Sequence, residues 1–318
     1  MSGTGQYPTD VTNLRLLHQG KTRDTFAIPQ TLLGPGSTGD HRLIVATRRL
    51  STHNIVHESE IPRKDEVLTA LTIYWLTMAL EGTNIRHHLR AWGTGIYGFL
   101  PGTRSEYPKN LHLRAIVVET LDMIPVEFIY RAYLAGSLYD KYHALGVANP
   151  YGVEIHPSMR LMSSFSMPIF TPTDKSETDE PLLAHTIKEK YPEASRVSRR
   201  VFNHARDYLH MAGLELVDSK FELGLDREGR ITLADEVVTP DSSRFCDPSL
   251  IEVGKEPAWV DKQVARNEAS RIWGKGKKVP LSFTPEVVRN LSETYLDVFK
   301  RITGFSLDAF QGEFMNRI

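Results

Sequence analysis

Two acidic, strand-like segments separated by a tight turn constrain this chain more than any other feature. Leu214 to Leu223 (LELVDSKFEL) and Ile231 to Val238 (ITLADEVV) flank a turn at Asp226 to Gly229, which predicts a β-hairpin. Residues two apart in a strand share a face, so Asp218, Lys220 and Glu222 project together, and Asp235 on the neighbouring strand can join them. Three carboxylates and a lysine converging on one face repel unless something neutralises them. Either this is a solvated hairpin face, or Mg²⁺ with nucleotide phosphates supplies the missing charge.

Other segments place this hairpin in an α+β chain. Leu14 to Pro29 reads as a second hairpin turning at Gly20-Lys21, Pro35 to Asp40 as a polar turn, and Arg42 to Thr47 as a buried strand. From Asp65 to Leu80, Val67, Leu68, Leu71, Trp75 and Met78 recur at helical spacing. The strand Ala115 to Glu119 is broken by Asp122-Met123-Ile124-Pro125, a hinge because the residue before proline avoids helical geometry. A strand resumes over Val126 to Tyr130 and ends at Arg131, followed by Ala135-Gly136-Ser137. Ala194 to Ala212 predicts a helix stopped by Gly213, and Pro285 to Ile302 a closing helix with Gly304 beyond it.

Several residues outside the acidic hairpin suit phosphate. Arg244, in Thr239-Pro240-Asp241-Ser242-Ser243-Arg244-Phe245, offers a planar fork that grips phosphate or carboxylate through two bonds. With Arg131 and Ser137 it would form a phosphate pocket; singly, each arginine is equally read as a surface ion pair. Gly20-Lys21-Thr22-Arg23-Asp24 is a glycine turn with two cations, either a nucleotide-covering hairpin or a plain surface turn, and lacks the GxxxxGK[ST] spacing. Twelve histidines form no HExxH, one cysteine cannot build a thiolate zinc site, and no GxSxG is present.

Composition narrows the partners. With 38 Lys plus Arg against 39 Asp plus Glu, there is no basic excess for nucleic acid or an anionic membrane surface, leaving small molecules as the expected partners. Cys246 is alone, so no intrachain disulfide can form, as expected of a cytoplasmic protein. No run of about 18 apolar residues occurs, and Met1 to Asp10 lacks a signal-peptide pattern. Nothing in the sequence fixes an oligomeric state.

In order along the chain, GKTRD (Gly20 to Asp24), IPVEFIYRAYLAGS (Ile124 to Ser137), FTPTDKSETDE (Phe170 to Glu180), LVDSKFELGL (Leu216 to Leu225), DEVVTPDSSRF (Asp235 to Phe245) and DKQVAR (Asp261 to Arg266) resemble the SAICAR synthase family. TPEVVRNLSETYLDVFKRITG resembles that family's final helix. The resemblance implies two nucleotide-sandwiching lobes related to ATP-grasp enzymes and protein kinases. These would be a β-rich lobe over residues 1–121, an α/β lobe over 122–280 and a helical segment over 281–318. It further implies ATP and Mg²⁺ as cofactors. Lys21 would lie over the ATP phosphates, Met123 beside adenine, and Glu222 and Asp235 on Mg²⁺ and ATP. Lys220 and Asp235 would serve the phosphoryl transfer, and Ser51, Arg131, Ser137, Lys175, Asp218 and Arg244 the substrate. The implied reaction joins the carboxylate of carboxyaminoimidazole ribonucleotide to L-aspartate through an acyl phosphate, giving SAICAR in purine synthesis.

One stretch departs from the family. Where it reads Asp-Arg-(Ile/Val)-Ser-Ala-Phe-Asp, this chain has Arg48-Arg49-Leu50-Ser51-Thr52-His53-Asn54, and Ile-Pro-Gly-Lys-Gly becomes Ile61-Pro62-Arg63-Lys64-Asp65. Cys246 stands where tryptophan is common. An inverted charge at Arg48 is expected to alter the region nearest the heterocycle. It leaves two alternatives beside SAICAR formation: a paralogous ligase acting on another heterocyclic carboxylate, and an inactive nucleotide-binding protein.

Overall fold

A computed structural model describes residues 7–29, 40–145, 150–176 and 178–316. The turn expected at Pro35 to Asp40 lies outside the described residues except for Asp40. The chain divides into two compact units, the first made of Met1–Met78, His87–Leu121 and Ala265–Ile318, the second of Ala79–Arg86 and Asp122–Val264.

An antiparallel sheet organises the first unit. It contains β1 (Leu16–Gln19), β2 (Arg23–Ala27), β3 (His41–Ala46), β7 (Ala115–Glu119) and β6 (Leu89–Trp92), hydrogen-bonded in that order. Alternation along these strands buries Phe26, Leu43, Val45 and Val117 in a core shared with Ile96 and Leu111. A separate hairpin pairs β4 (Arg49–Thr52) with β5 (Ile55–Glu60), turning through His53 and Asn54, both in left-handed backbone. Next comes α1 (Lys64–Tyr74), buried on every side, which continues as a π-helical turn over Trp75–Ala79. The short α2 (Leu111–Arg114) leads into β7.

The closing helix α7 (Pro285–Thr303) buries Leu291, Tyr295, Val298, Phe299 and Ile302 at helical spacing and packs on α1. Thr284 caps its start and proline occupies the first turn. It ends at Gly304, whose φ of 77° permits the left-handed cap, and the short α8 (Leu307–Phe310) follows.

In the second unit the long strand β12 (Glu215–Leu225) is central. One of its edges pairs with β9 (Val126–Tyr133) and then β8 (Asp122–Met123); the other pairs with β14 (Ser243–Cys246) and then β13 (Ile231–Ala234). Strands β10 (Ser164–Phe170) and β11 (Thr173–Asp174) extend the sheet from β9. The amphipathic helix α5 (Pro192–Met211) packs on β12 and β9, burying Val197, Val201, Phe202, Ala205 and Leu209. Tyr130 anchors the contact by donating to Ser195 O at 2.7 Å and stacking on Phe170. The helices α3 (Gly136–Leu145) and α4 (Ala184–Lys190) flank this core, and α6 (Gln263–Trp273) begins in this unit and continues into the first.

Two boundaries differ from the sequence reading. The strand expected to end at Arg131 runs on to Tyr133, because pairing with β10 continues to Ser164↔Tyr133. The strand expected over Ile231 to Val238 stops at Ala234, since Asp235 and Val238 adopt positive φ (56° and 49°) that no strand accommodates.

Candidate active site

Strand register assembles the polar face of the second unit. Asp218 is the Cα partner of Arg131 on one side and of Arg244 on the other, so the three side chains form a row across β9, β12 and β14. Arg131 Nη1 donates to Asp218 Oδ2 at 2.7 Å, and Arg244 Nη1 donates to the same oxygen. Arg131 is held further by Thr171 (2.9 Å) and Ser137 (3.3 Å), and Arg244 Nε donates to Gln263 at 3.1 Å. Burial alone would lower the Arg244 pKa, but Asp218 and Asp261 outweigh it and raise it. Two guanidinium groups thus share the Asp218 carboxylate beside the Ser137 hydroxyl, with Asp261 as a further negative charge acting on Arg244.

Gly136 makes this arrangement possible. Its φ is 53°, and a Cβ there would come within 2.4–2.6 Å of the Arg244 guanidinium. Only glycine combines that backbone with that approach.

A second row lies two residues along β12. Lys220 Nζ donates to Glu127 at 2.8 Å and to Glu222 at 3.3 Å, and Lys175 pairs with the other oxygen of Glu222. Burial would depress the Lys220 pKa, but the charges of Glu222, Glu127 and Asp235 overcome it and hold the pKa above its ordinary value. Lys220 is therefore a fixed cation, unsuited to act as a base near neutral pH. Met123, on β8, pairs with Gly224 and keeps its apolar side chain over one third exposed.

The expectation of one undivided acidic cluster needs correction. Asp218 is neutralised by arginines rather than by the lysine, and Asp235 follows β13 instead of lying within it. Glu127 was missed because it comes from β9, 93 residues from Lys220 in sequence. Its signal was present, since Glu127, Ile129 and Arg131 alternate with the buried Phe128 and Tyr130.

The remaining candidates, Lys21 and Ser51, lie in the first unit. Lys21 Nζ donates to Asn54 Oδ1 at 2.7 Å, and Ser51 is buried in β4. The Gly20-Lys21 turn is clamped by Arg49, which donates to Gly20 O at 3.0 Å and through both terminal nitrogens to Asp24 at 2.6 and 3.3 Å. This pair is buried, with side-chain exposures of 8% and 3%. Arg48 does not leave its charge uncompensated, because Asp65 carboxylate oxygen lies 3.4 Å from its Nε.

Among the described residues, no group of three or more His, Cys, Asp and Glu side chains forms a metal cage. Glu222 and Asp235 are the carboxylates of this region that could hold Mg²⁺, an ion that takes one or two carboxylates and completes its shell with water and nucleotide phosphates. Near Lys220 the three carboxylates outnumber the two ammonium groups, so the local charge suits a further cation. No helix among the described residues is long and apolar enough to cross a membrane.

Comparison with known proteins gives a consistent result. Residues 16–282 match the family model for SAICAR synthetase. A phosphoribosylaminoimidazole-succinocarboxamide synthase of Syntrophobacter fumaroxidans is 34% identical over 308 residues, covering 94% of this chain and 96% of its own. One of Stenotrophomonas maltophilia is 34% identical over 310 residues, covering 94% and 98%. Among solved structures, the Saccharomyces cerevisiae SAICAR synthase complexed with SAICAR superposes with a TM-score of 0.79 at 28% identity, covering 96% of this chain and 99% of that one.

Proposed function

The chain belongs to the SAICAR synthetase family and catalyses ATP-dependent formation of SAICAR in purine biosynthesis, and from that premise we propose the parts its own residues play. The row Arg131–Asp218–Arg244 is the observation that carries the assignment. Two arginines sharing one carboxylate, Arg131 buried and Arg244 partly so, with a serine hydroxyl alongside, form a preorganised seat for a phosphate monoester. Carboxyaminoimidazole ribonucleotide presents such a group, and Ser51 serves the same substrate.

The chemistry needs activation of a carboxylate, which is unreactive toward an amine at neutral pH. Transfer of the ATP γ-phosphoryl group to the substrate carboxylate creates a leaving group. Attack by the free amine of L-aspartate at the acyl carbon then forms the amide bond and releases inorganic phosphate. Lys220, held permanently charged, stabilises charge on the transferring phosphoryl group, and Lys175 contributes a second ammonium on Glu222. Lys21 contacts the nucleotide phosphates from its clamped turn, and Met123 offers the apolar surface on which adenine rests. Glu222 and Asp235 would hold Mg²⁺, which when bound neutralises phosphate charge and orients the γ-phosphoryl group. The neutral amine sheds one proton as the C–N bond forms and the C–O bond to phosphate breaks, and that proton passes to the departing phosphate or to water; the fixed charge of Lys220 excludes that side chain as acceptor. We place the enzyme in the cytoplasm with its small-molecule substrates.

The test is reconstitution with ATP, Mg²⁺, L-aspartate and carboxyaminoimidazole ribonucleotide, following SAICAR and ADP together. Equal formation of both, abolished by EDTA and restored by Mg²⁺, is expected. ADP release with no amide product would reject the assignment; turnover independent of divalent cations would reject the metal role of Glu222 and Asp235.

A further inference from the structure

The face of β12 turned away from Lys220 and Glu222 borders a cavity of about 560 Å³ in the second unit. Ser219 pairs with Tyr130, whose hydroxyl reaches Ser195 on α5, so Ser219, Phe221, Leu223 and Leu225 lie on the α5 side of the sheet. At this end of the hairpin Leu225 pairs with Ile231, and both line the cavity together with segment 84–86 and the first turns of α5. Two bonds fix that segment: Leu233 N–H donates to Arg86 O and Arg200 Nη2 to Thr83 O, each at 2.8 Å.

Arg86, Lys190, Arg196, Arg200 and Arg230 line this cavity against one lining carboxylate, Glu193. Two of these cations are neutralised. Arg196 pairs with Glu193 at 2.6 Å, and Arg230 with Asp226 at 2.7 Å and with Glu228. Among the described residues the other three contact no carboxylate. Arg200 donates to the Thr83 carbonyl, Lys190 Nζ lies 5.1 Å from the Tyr191 ring centroid, and Arg86 acts on the occupied Asp226 through charge at a distance. The start of α5 lies on the same cavity, and Tyr191 gives its first turn no side-chain cap, so the positive end of the helix adds to the field. Ile85, Val197, Leu225 and Ile231 supply an apolar part of the lining.

Like charges gathered around one concavity are relieved by an anion. The helix bounds its length, because Lys190 stands just before α5 and Arg200 two turns into it, about 12 Å along the axis from Pro192. A single phosphate group is shorter than that span and carries only about −1.5 to −2 charges. We propose that this cavity binds a small-molecule diphosphate, held by Arg86, Lys190 and Arg200, with the apolar lining against any organic substituent it carries. The sheet separates this site from the two charged rows on β12. Leu225, in its wall, is the strand partner of Asp122 beside Met123, so an occupant bears on the segment proposed to carry adenine.

Isothermal titration of the full chain with inorganic pyrophosphate in EDTA tests the site, with inorganic phosphate as the shorter anion and uridine diphosphate as an ester. Pyrophosphate should bind saturably and about tenfold or more tighter than phosphate. Arg86→Gln and Lys190→Gln alter exposed side chains that hold no ion pair, so both variants should match wild type by circular dichroism. Each should weaken pyrophosphate about threefold or more, and the double variant about tenfold or more. Arg244→Ala, which disables the phosphate seat, should leave this binding in place. Uridine diphosphate binding tighter than pyrophosphate, and lost in the double variant, identifies an ester as occupant; binding no tighter identifies the inorganic ion. In both single variants kcat for SAICAR formation should stay within about twofold, and a larger loss would place the residues in the reaction and overturn the separate site. No saturable binding, binding indifferent to the double variant, or binding abolished by Arg244→Ala also overturns it. A wild-type chain that forms no SAICAR would sink the ligation reading and leave this titration untouched.

Discussion

Replacing Asp218 by asparagine should test the phosphate seat through stability rather than activity. Asp218 is 8% exposed at its side chain and is the shared partner of Arg131, 4% exposed, and Arg244, 13% exposed. Removing the charge leaves the buried Arg131 and the largely buried Arg244 with the neutral hydrogen-bond acceptors Thr171, Ser137 and Gln263, and with Asp261 as a remaining counter-charge on Arg244. Removing one partner of a buried ion pair costs roughly 3–5 kcal/mol. For a cooperative unit of about 150 residues, each kcal/mol lowers Tm by roughly 2–4 °C, so a loss of about 10 °C is expected. An anion seated between the arginines replaces the missing charge. Product SAICAR should therefore raise the melting temperature of Asp218→Asn by more degrees than it raises that of the wild type. Calorimetry with and without SAICAR measures both quantities. A variant melting within about 2 °C of wild type, or one gaining no more from SAICAR than wild type, would refute the reading of Asp218 as the internal counter-ion.

Other substitutions probe separate links. Lys220→Ala should lower kcat about 10²–10³-fold in the coupled assay while the fold, followed by circular dichroism, persists. Arg244→Ala should raise KM for the phosphorylated substrate about tenfold or more, with a smaller effect on kcat, in steady-state measurements. Gly136→Ala puts a Cβ into the Arg244 guanidinium at a φ of 53°, so it should cost about 1–3 kcal/mol in urea unfolding and weaken the same substrate. For Asp65 the folded pKa lies above its usual 3.8, so its protonated form favours folding and that contribution is lost as pH rises through the folded pKa. Asp65→Asn should therefore gain stability relative to wild type as pH is raised from below 3.8 to 7, measured by urea unfolding.

What the sequence revealed follows from the range of the interactions involved. The β12 face was legible because alternation is local: Asp218, Lys220 and Glu222 must point the same way once the segment is a strand. The helix α7 was legible from its proline start, its spacing and Gly304. The early end of β13 was hidden, because the left-handed backbone at Asp235 and Val238 is adopted by residues that carry no glycine-like signal. For Glu127 local alternation showed the face but not the partner, since its meeting with Lys220 depends on register between strands far apart in the chain. The same holds for Arg48 and Asp65. Read singly, each departs from the family by a charge; in the structure they are partners, so the two changes compensate each other. Arg63, where the family has glycine, likewise keeps a left-handed φ of 60° and is tied down by Glu66 at 3.1 Å and Asp308 at 2.5 Å.

Because β12 carries both the arginine counter-ion and the transfer lysine, its backbone works as a ruler. Positions 218 and 220 are two residues apart, which fixes their Cα atoms at roughly 7 Å in any extended strand. Side-chain exchange can retune the charge at either mark, but it cannot move the marks. A ligand whose anchored end and reacting end demand a different span is refused by main-chain geometry, and broadening the enzyme's tolerance would require a bulge or a register slip in the sheet itself.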